Sequence, residues 1–407
     1  MTAELPQPQP TDAVIVGGAR TPFTRLLSQQ ADLRAVDLGA HAITHALERA
    51  GVAPEDVDMV YMGQVVQAGA GQNPARQSAL AAGIPLNVPA MTINKVCLSG
   101  LTAVIDAARL IRLGEADVVV AGGQESMTNA PHLLPGARKG FKYGPATMLD
   151  AVAWDGLTDS LSHEAMGELT ESGNGERNIA RAEQDEVAAA SHQRAARAQS
   201  EGVFEGEIAP VEIPQRKGDP VVVDKDEHIR PGTSEESLAK LRPVMGKSLD
   251  GATVTAGNAS GQNDGAAAMI VTTRAKAEEL GLDPYAVLRG WAVAGVAPET
   301  MGIGPVDATT KVFDRLSLTF DDIDLIELNE AFAAQALAVL DAWGISEDDP
   351  RVNPVGSGIS LGHPVGATGA RMVVTAAHRM RRTDAKRALV TMCIGGGQGL
   401  AAVIERA

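Results

Sequence analysis

At 407 residues, with 44% hydrophobic side chains, 21% charged ones and 43 glycines, the chain has room for two or three domains of ~100–200 residues. No apolar run approaches the ~20 residues that a bilayer-spanning helix needs, so membrane embedding is not expected. Asp and Glu number 51 against 35 Lys and Arg, a net charge of −16, which is the wrong sign for neutralising a phosphate polymer; nucleic acid is excluded as a partner.

In chain order, the first ten residues, MTAELPQPQP, lack a basic segment followed by an apolar one, so no secretion signal is expected and the compartment predicted is the cytoplasm. In that reducing setting a disulfide between the two cysteines, Cys97 and Cys393, is disfavoured, and each thiol is left for packing, metal binding or chemistry. The apolar run 13–18 predicts a strand, 35–50 a helix, and 58–65 a second strand, the alternation of helices packed on a sheet. A helical pattern follows at 101–113. From about 125 to 262 the pattern changes to Met, Pro, Gly and charged helices, such as 183–200, with a polar turn at 215–219. So long an excursion predicts an inserted subdomain, serving as a lid or a substrate-binding layer. Strands return at 267–273, 286–296, 324–328 and 388–392, with helices between. The predicted division is 1–126 with 263–283 as a first α/β half, 127–262 as the insertion, and 284–407 as a second half.

Two short repeats support a duplicated unit. Residues 55–60, EDVDMV, resemble residues 321–326, DDIDLI, at an offset of 266, and Ala121-Gly122-Gly123-Gln124 resembles Gly395-Gly396-Gly397-Gln398 at 274. Adding 266 to Cys97 gives His363, and adding it to Gly100 gives Gly366, so these turns are expected to be equivalent and to face each other.

The chemistry is expected at four places. Cys97 precedes the helical pattern, where the helix dipole would favour a thiolate, although a buried inert cysteine gives the same pattern. Cys393 ends a strand and leads into Gly395, Gly396 and Gly397, which let backbone N–H groups approach a developing oxyanion. His363 lies between glycines and a proline in Gly362-His363-Pro364-Val365-Gly366, on a tight turn. Asn329 opens Asn329-Glu330-Ala331-Phe332, as a helix cap or as a holder of water or a carbonyl. Gly246-Lys247-Ser248 is not a phosphate-binding loop, because Leu241 stands where its first glycine belongs. No metal cluster and no nicotinamide or flavin fingerprint is read.

The segments Asn94-Lys95-Val96-Cys97-Leu98-Ser99-Gly100, Asn329-Glu330-Ala331-Phe332-Ala333, Gly362-His363-Pro364-Val365-Gly366 and Cys393-Ile394-Gly395-Gly396-Gly397 resemble the four active-site motifs of the thiolases, in that family's order. The likeness runs from Gly18-Ala19-Arg20-Thr21-Pro22 to the C-terminus and is closest to the acetyl-CoA acetyltransferase branch. The resemblance implies a five-layered αβαβα fold of two pseudo-twofold α/β halves with an inserted loop domain, assembled as homodimers or homotetramers. It implies reversible condensation of two acetyl-CoA to acetoacetyl-CoA and CoA through an acyl-cysteine. In that scheme Cys97 is the nucleophile, His363 its activator and Cys393 the general base, near an ordinary thiol pKa of ~8.5. One oxyanion hole comes from His363 with a water on Asn329, the other from the N–H groups of Cys97 and Gly395. Coenzyme A is substrate and product, with no further cofactor; Ser260 and Ala256 fall at its pantetheine arm, His192 and Arg230 at its nucleotide end, and Met166, Met301 and Phe332 around the acyl group. The alternatives are a 3-ketoacyl-CoA thiolase of fatty-acid oxidation with longer substrates, and an inactive CoA-binding subunit.

Overall fold

The computed structural model describes residues 6–407. Nine strands form one continuous sheet: β1 (Ala13–Arg20), β2 (Met59–Gly63), β3 (Ala90–Ile93), β4 (Val118–Ser126), β5 (Asn263–Thr273), β6 (Pro284–Gly295), β7 (Leu325–Leu328), β8 (Arg387–Ile394) and β9 (Gln398–Arg406). Their order is β7-β8-β9-β6-β1-β5-β4-β2-β3, with the two-residue strand Thr24–Arg25 added on β5. β2 is parallel to β3 and β4, and β7 is parallel to β8; the other pairs on this path are antiparallel. The two halves meet where β1 pairs with β6, Val14 opposite Val287.

Helices cover both faces, which is why β4 is buried along its whole length and runs apolar without alternation from Val118 to Gly123. On one outer face, α1 (Ala35–Ala50) and α2 (Pro74–Ala81) put Leu38, Ile43, Leu47 and Ala79 against Val60, Val118, Val120 and Ile270. On the other, α6 (Gly304–Leu316) and α7 (Ala333–Trp343) put Val312, Val339 and Leu340 against Ile326, Leu389 and Val403. Between the halves lie α3 (Ser99–Leu113) and the later helix Thr368–Arg382. Leu101, Val104, Ile105 and Ala108 share a cluster with Val373, Ala376, Ala377 and Met380, flanked by Val119 and Met269 of one half and Val390 and Ile404 of the other. These i, i+3, i+4 rows lie on helices buried along most of their length, with Arg109, Arg112, Arg381 and Arg382 exposed near the C-terminal ends. The layers therefore run helix, sheet, helix, sheet, helix, as expected. Each buried Val, Leu or Ile contributes ~1.5–3 kcal/mol to holding them together.

The repeat is real in its elements but slips in register. Met59 pairs with Val119 and Leu325 with Ala388, so the offset is 266 at β2 and β7 but 269 at β4 and β8. The central helices also start 269 residues apart, at Ser99 and Thr368. Gly366 is therefore the counterpart of Cys97, and His363 stands three residues earlier in its turn. The second repeat match fails: Ala121–Gln124 lies inside β4, whereas Gly395–Gly397 is the turn joining β8 to β9.

Residues between β4 and β5 include α4 (Met166–Arg177), α5 (Arg181–Ser200) and a hairpin of Val211–Ile213 with Val221–Val223, whose tip carries the expected polar turn. α5 packs Val187 and Ala188 against Ala333 and Ile359, the latter on the short helix α8 (Gly358–Leu361). The central helix Thr368–Arg382 is thus α9. On the opposite side, buried Arg20 holds Glu207 through Nε at 2.7 Å and Asp226 through both terminal nitrogens at 2.7 Å. A guanidinium buried this deeply needs both partners, because an unpaired charge there is strongly destabilising.

Candidate active site

Cys97 precedes a helix, Cys393 and Gly395 stand where a strand gives way to a turn, His363 lies in the turn before the central helix, and all four line one cavity. Cys97 follows Val96, a β-branched residue at φ 47°, a conformation that costs ~1–3 kcal/mol. Neighbours hold it there: Asn94 Oδ1 accepts from the Val96 N–H at 3.0 Å, Ser99 Oγ accepts from the Lys95 N–H at 2.8 Å, and the Ser99 hydroxyl donates to the Val96 carbonyl at 2.6 Å. This strained elbow turns the Cys97 side chain into the cavity just before α3, and composition and periodicity carry no sign of it.

Burial pushes the Cys97 thiol up to about 12, opposed by the backbone N–H groups of Cys97 and Gly395. The helix-end thiolate expected from position alone is overruled by desolvation. The buried Cys393 thiol is also pushed well above its ordinary value, first by burial and then by Cys97 facing it; the near-ordinary thiol expected at this position is not found. Both sulfurs are protonated at rest.

His363 is buried and pushed down to about 3, by burial first and then by Arg371, so its imidazole is neutral. Its Nδ1 lies 2.6 Å from Thr368 Oγ1, whose own proton goes to the Pro364 carbonyl at 3.0 Å. The hydroxyl must then accept from Nδ1–H, leaving Nε2 as the basic nitrogen. Asn329 Nδ2 lies 3.4 Å from Nε2, while Asn329 Oδ1 is buried without a protein partner, an acceptor free for a water or a ligand donor. Close approach here demands glycine: a Cβ on Gly358 would sit 2.7 Å from Asn329 Oδ1.

The cavity has a volume of about 400 Å³, and Cys97, His363, Cys393 and Gly395 share its lining with Ala256, Ser260, Met166, Met301 and Phe332. Met166, Met301 and Phe332 also pack with Cys393 and Ala331 in one apolar cluster, and the Ser260 N–H donates to the Ala331 carbonyl at 2.9 Å. Asn329 sits just behind the lining. His192 and Arg230 are elsewhere: His192, buried in α5, accepts the Arg230 N–H on Nδ1 at 3.2 Å and stacks on His228 with centroids 6.3 Å apart. The Arg230 side chain is exposed.

Two carboxylates that the motif reading passed over bind these loops together. Glu125, buried, accepts from the N–H groups of Val65 at 2.9 Å, Val66 at 3.2 Å and Gly366 at 3.0 Å. Burial nonetheless pushes it up to about 8. Asp159 reaches the Gly396 N–H at 3.0 Å. Glu125 has no local signal, since its partners come from distant parts of the chain, and nothing local points Asp159 to Gly396, 237 positions away. Thr368 was visible in the motif Gly366-Ala367-Thr368-Gly369 but had no assigned task.

Two thiols, a neutral imidazole and converging backbone N–H groups around one apolar cavity are the equipment of an acyl-transfer site working through cysteine. The sequence profile of the thiolase N-terminal domain matches residues 13–275, and that of the thiolase C-terminal domain matches residues 282–406. The chain belongs to the thiolase family. It is 52% identical over 396 residues to the acetyl-CoA acetyltransferase of Cupriavidus necator, covering 97% of this chain and all of that protein. It is 50% identical to the enzyme of the same name from Pseudomonas aeruginosa, covering 97% and 99%. The crystal structure of the Bacillus anthracis acetyl-CoA acetyltransferase superposes with a TM-score of 0.94 at 41% identity, covering 97% of this chain and 99% of that one. Among the described residues no helix is long and apolar enough to cross a membrane.

Proposed function

We propose that this thiolase is an acetyl-CoA C-acetyltransferase, joining two acetyl-CoA into acetoacetyl-CoA and CoA and running the reverse thiolysis by a ping-pong route. What supports the reading above all is the convergence of Cys97, His363, Cys393 and Gly395 on one cavity.

Cys97 Sγ attacks the thioester carbonyl while its proton passes to His363 Nε2; a thiol this high in pKa attacks only as its proton leaves. The tetrahedral oxyanion is received by the N–H groups of Cys97 and Gly395, the pair that already opposes the shift of the Cys97 sulfur. One such donor is worth ~3–4 kcal/mol. Cys393, protonated at rest, gives its proton to the departing CoA sulfur and becomes the base that takes a proton from C2 of the second acetyl-CoA. The resulting enolate oxygen is held by His363 and by a water on Asn329, whose Oδ1 is unpartnered. The enolate carbon attacks the acetyl-Cys97 carbonyl, releasing acetoacetyl-CoA and the Cys97 sulfur, which takes its proton back from His363 Nε2.

Met166, Met301 and Phe332 wall a slot for a short acyl group, methionine giving it adaptability, while Ala256 and Ser260 take the pantetheine arm. His192 and Arg230 serve the nucleotide end from outside the cavity. Residues 1–126 with 263–283, 127–262, and 284–407 are the first half, the CoA-binding insertion and the second half. The enzyme works in the cytoplasm as a homodimer or homotetramer, with coenzyme A as substrate and product and no other cofactor.

Cys97→Ser is expected to abolish acyl-enzyme formation, whereas Cys393→Ser still traps labelled acetyl on Cys97 but stalls condensation. Equal acylation and turnover in both variants overturns the roles. A kcat/KM favouring long 3-ketoacyl-CoA over acetoacetyl-CoA overturns the substrate.

A further inference from the structure

The segment between Leu157 and Met166 closes on itself: the Met166 N–H donates to the Leu157 carbonyl at 3.0 Å, and Thr158 bridges to Ala165. Its two ends line the cavity through Leu157, Thr158, Ala165 and Met166. Inside the loop sits the buried carboxylate of Asp159. Its Oδ1 accepts from the N–H groups of Leu161 and Ser162, each at 2.9 Å, and its Oδ2 accepts from the Gly396 N–H at 3.0 Å. Its backbone is held as well, N–H to the Glu164 carbonyl at 2.9 Å and carbonyl from the His163 N–H at 3.0 Å. Gly396 is in the left-handed region at φ 76° and directly follows Gly395. A Cβ on Gly395 would lie 3.0 Å from the Met166 sulfur, so the wall and the turn also touch beside this carboxylate.

We infer that Asp159 is a positioning residue that fastens the wall of the acyl slot to the Gly395–Gly397 turn, so that chain-length selection and placement of the Gly395 N–H are set by one carboxylate. The inference rests on the acetyl-transfer reading above. The contact joins residues 237 positions apart. A carboxylate suits the task because one oxygen is fully used inside its own loop while the other reaches across. An amide cannot do both, since its second atom is a donor and would face the Gly396 N–H.

The test is thiolysis of acetoacetyl-CoA, 3-ketohexanoyl-CoA and 3-ketodecanoyl-CoA by purified full-length wild type, Asp159→Asn and Gly396→Ala. Asp159→Asn has one acceptor oxygen for the N–H groups of Leu161, Ser162 and Gly396, so the turn inside the loop and the crossing bond cannot both persist. Gly396→Ala loosens the other end through its left-handed φ, with open space for the added methyl, and so provides a second route if the first variant folds poorly. Both are expected to lower kcat on acetoacetyl-CoA about tenfold, as sub-ångström misplacement does. They are also expected to lower the ratio of kcat/KM for acetoacetyl-CoA over 3-ketohexanoyl-CoA by about tenfold. A purely structural role lowers all three substrates in proportion, and that result in both variants, or an unchanged ratio, overturns the inference. Wild type preferring the longest substrate overturns the substrate assignment instead, and the change of ratio on mutation still decides the role of Asp159.

Discussion

Thr368→Val keeps the side-chain shape and deletes the hydroxyl on which His363 rests. In the native turn Thr368 Oγ1 takes the Nδ1 proton at 2.6 Å and gives its own to the Pro364 carbonyl at 3.0 Å. Valine leaves Nδ1–H unpartnered in a buried site, at a cost of ~1–3 kcal/mol in stability, while the Pro364 carbonyl keeps the N–H groups of Ala367 and Thr368. The imidazole then has no reason to keep its proton on Nδ1, and the tautomer with Nε2–H cannot accept the Cys97 proton. The ~1–3 kcal/mol that an unpartnered Nδ1–H costs corresponds to about 5–150-fold in the reactive population, at ~1.4 kcal/mol per factor of ten. The expected outcome is a kcat lowered by that factor with KM for CoA little changed, and slower alkylation of Cys97 by iodoacetamide at neutral pH. Thr368→Ser, which keeps the hydroxyl, restores both. The reasoning is refuted if Thr368→Val lowers the melting temperature but leaves turnover and alkylation within about twofold of wild type, since the hydroxyl would then be a packing partner and nothing more.

Glu125→Gln has one acceptor oxygen for three N–H donors, so a loss of ~1–3 kcal/mol in chemical denaturation is expected, together with lower kcat because Gly366 shares the turn of His363. Unchanged denaturation would mean that water replaces the lost acceptor. Gly123→Ala places a methyl 2.0 Å from the Gly366 carbonyl oxygen, where the obstacle is backbone; destabilisation of ~1–3 kcal/mol or more is expected, read as the fall in melting temperature. The pH dependence of stability follows from opposed shifts. Burial holds His363 at about 3 and His192 and His228 at about 4, below the ~6.5 of the unfolded chain; the folded state binds fewer protons, so their contribution is full above ~6.5 and lost as pH falls toward 4 and 3. Burial raises Glu125 to about 8 and Glu327 to about 7, so their contribution is full below ~4.3 and lost as pH rises through 7 and 8. A melting temperature highest near pH ~6.5 is expected, and one still rising between pH 7 and 8 contradicts the two carboxyl shifts.

What could be read without coordinates was what local chemistry marks. Cys97, His363 and Cys393 stand among glycines at strand and helix ends, where a reactive side chain can be presented and a backbone can come close, and the alternation of apolar runs with helical periods announced two sheet-and-helix halves. Register was another matter. An offset of 266 holds at Met59 and Leu325 and becomes 269 by Ser99 and Thr368, because turns between equivalent elements can differ in length without disturbing the packed layers. A single offset therefore made His363 the twin of Cys97 when that place belongs to Gly366. The buried carboxylates were out of reach for a different reason: Glu125 and Asp159 satisfy N–H groups 241 and 237 positions away, and nothing periodic relates a buried acceptor to a donor supplied by another layer.

The same distinction separates the positions of the thiols, which local motifs mark, from their pKa values, which burial sets. A helix end acts locally and would lower Cys97; desolvation acts through everything packed around it and wins. Were both sulfurs ionised at rest, they would repel each other in a small apolar cavity, and Cys393 would have no proton for the departing CoA sulfur. Kept neutral by burial, each ionises only when a partner takes its proton: His363 for Cys97, the leaving thiolate for Cys393. That order requires His363 to be neutral beforehand, and the burial that raises the thiols also pushes the imidazole down to about 3. One dry cavity thus prepares acid, base and nucleophile together, so a substitution that admits water, such as Met166→Ser on its wall, is expected to lower both thiol pKa values and raise iodoacetamide labelling while slowing acetyl transfer. Faster labelling accompanied by faster transfer would show that burial of the sulfurs hinders the reaction it is argued to serve.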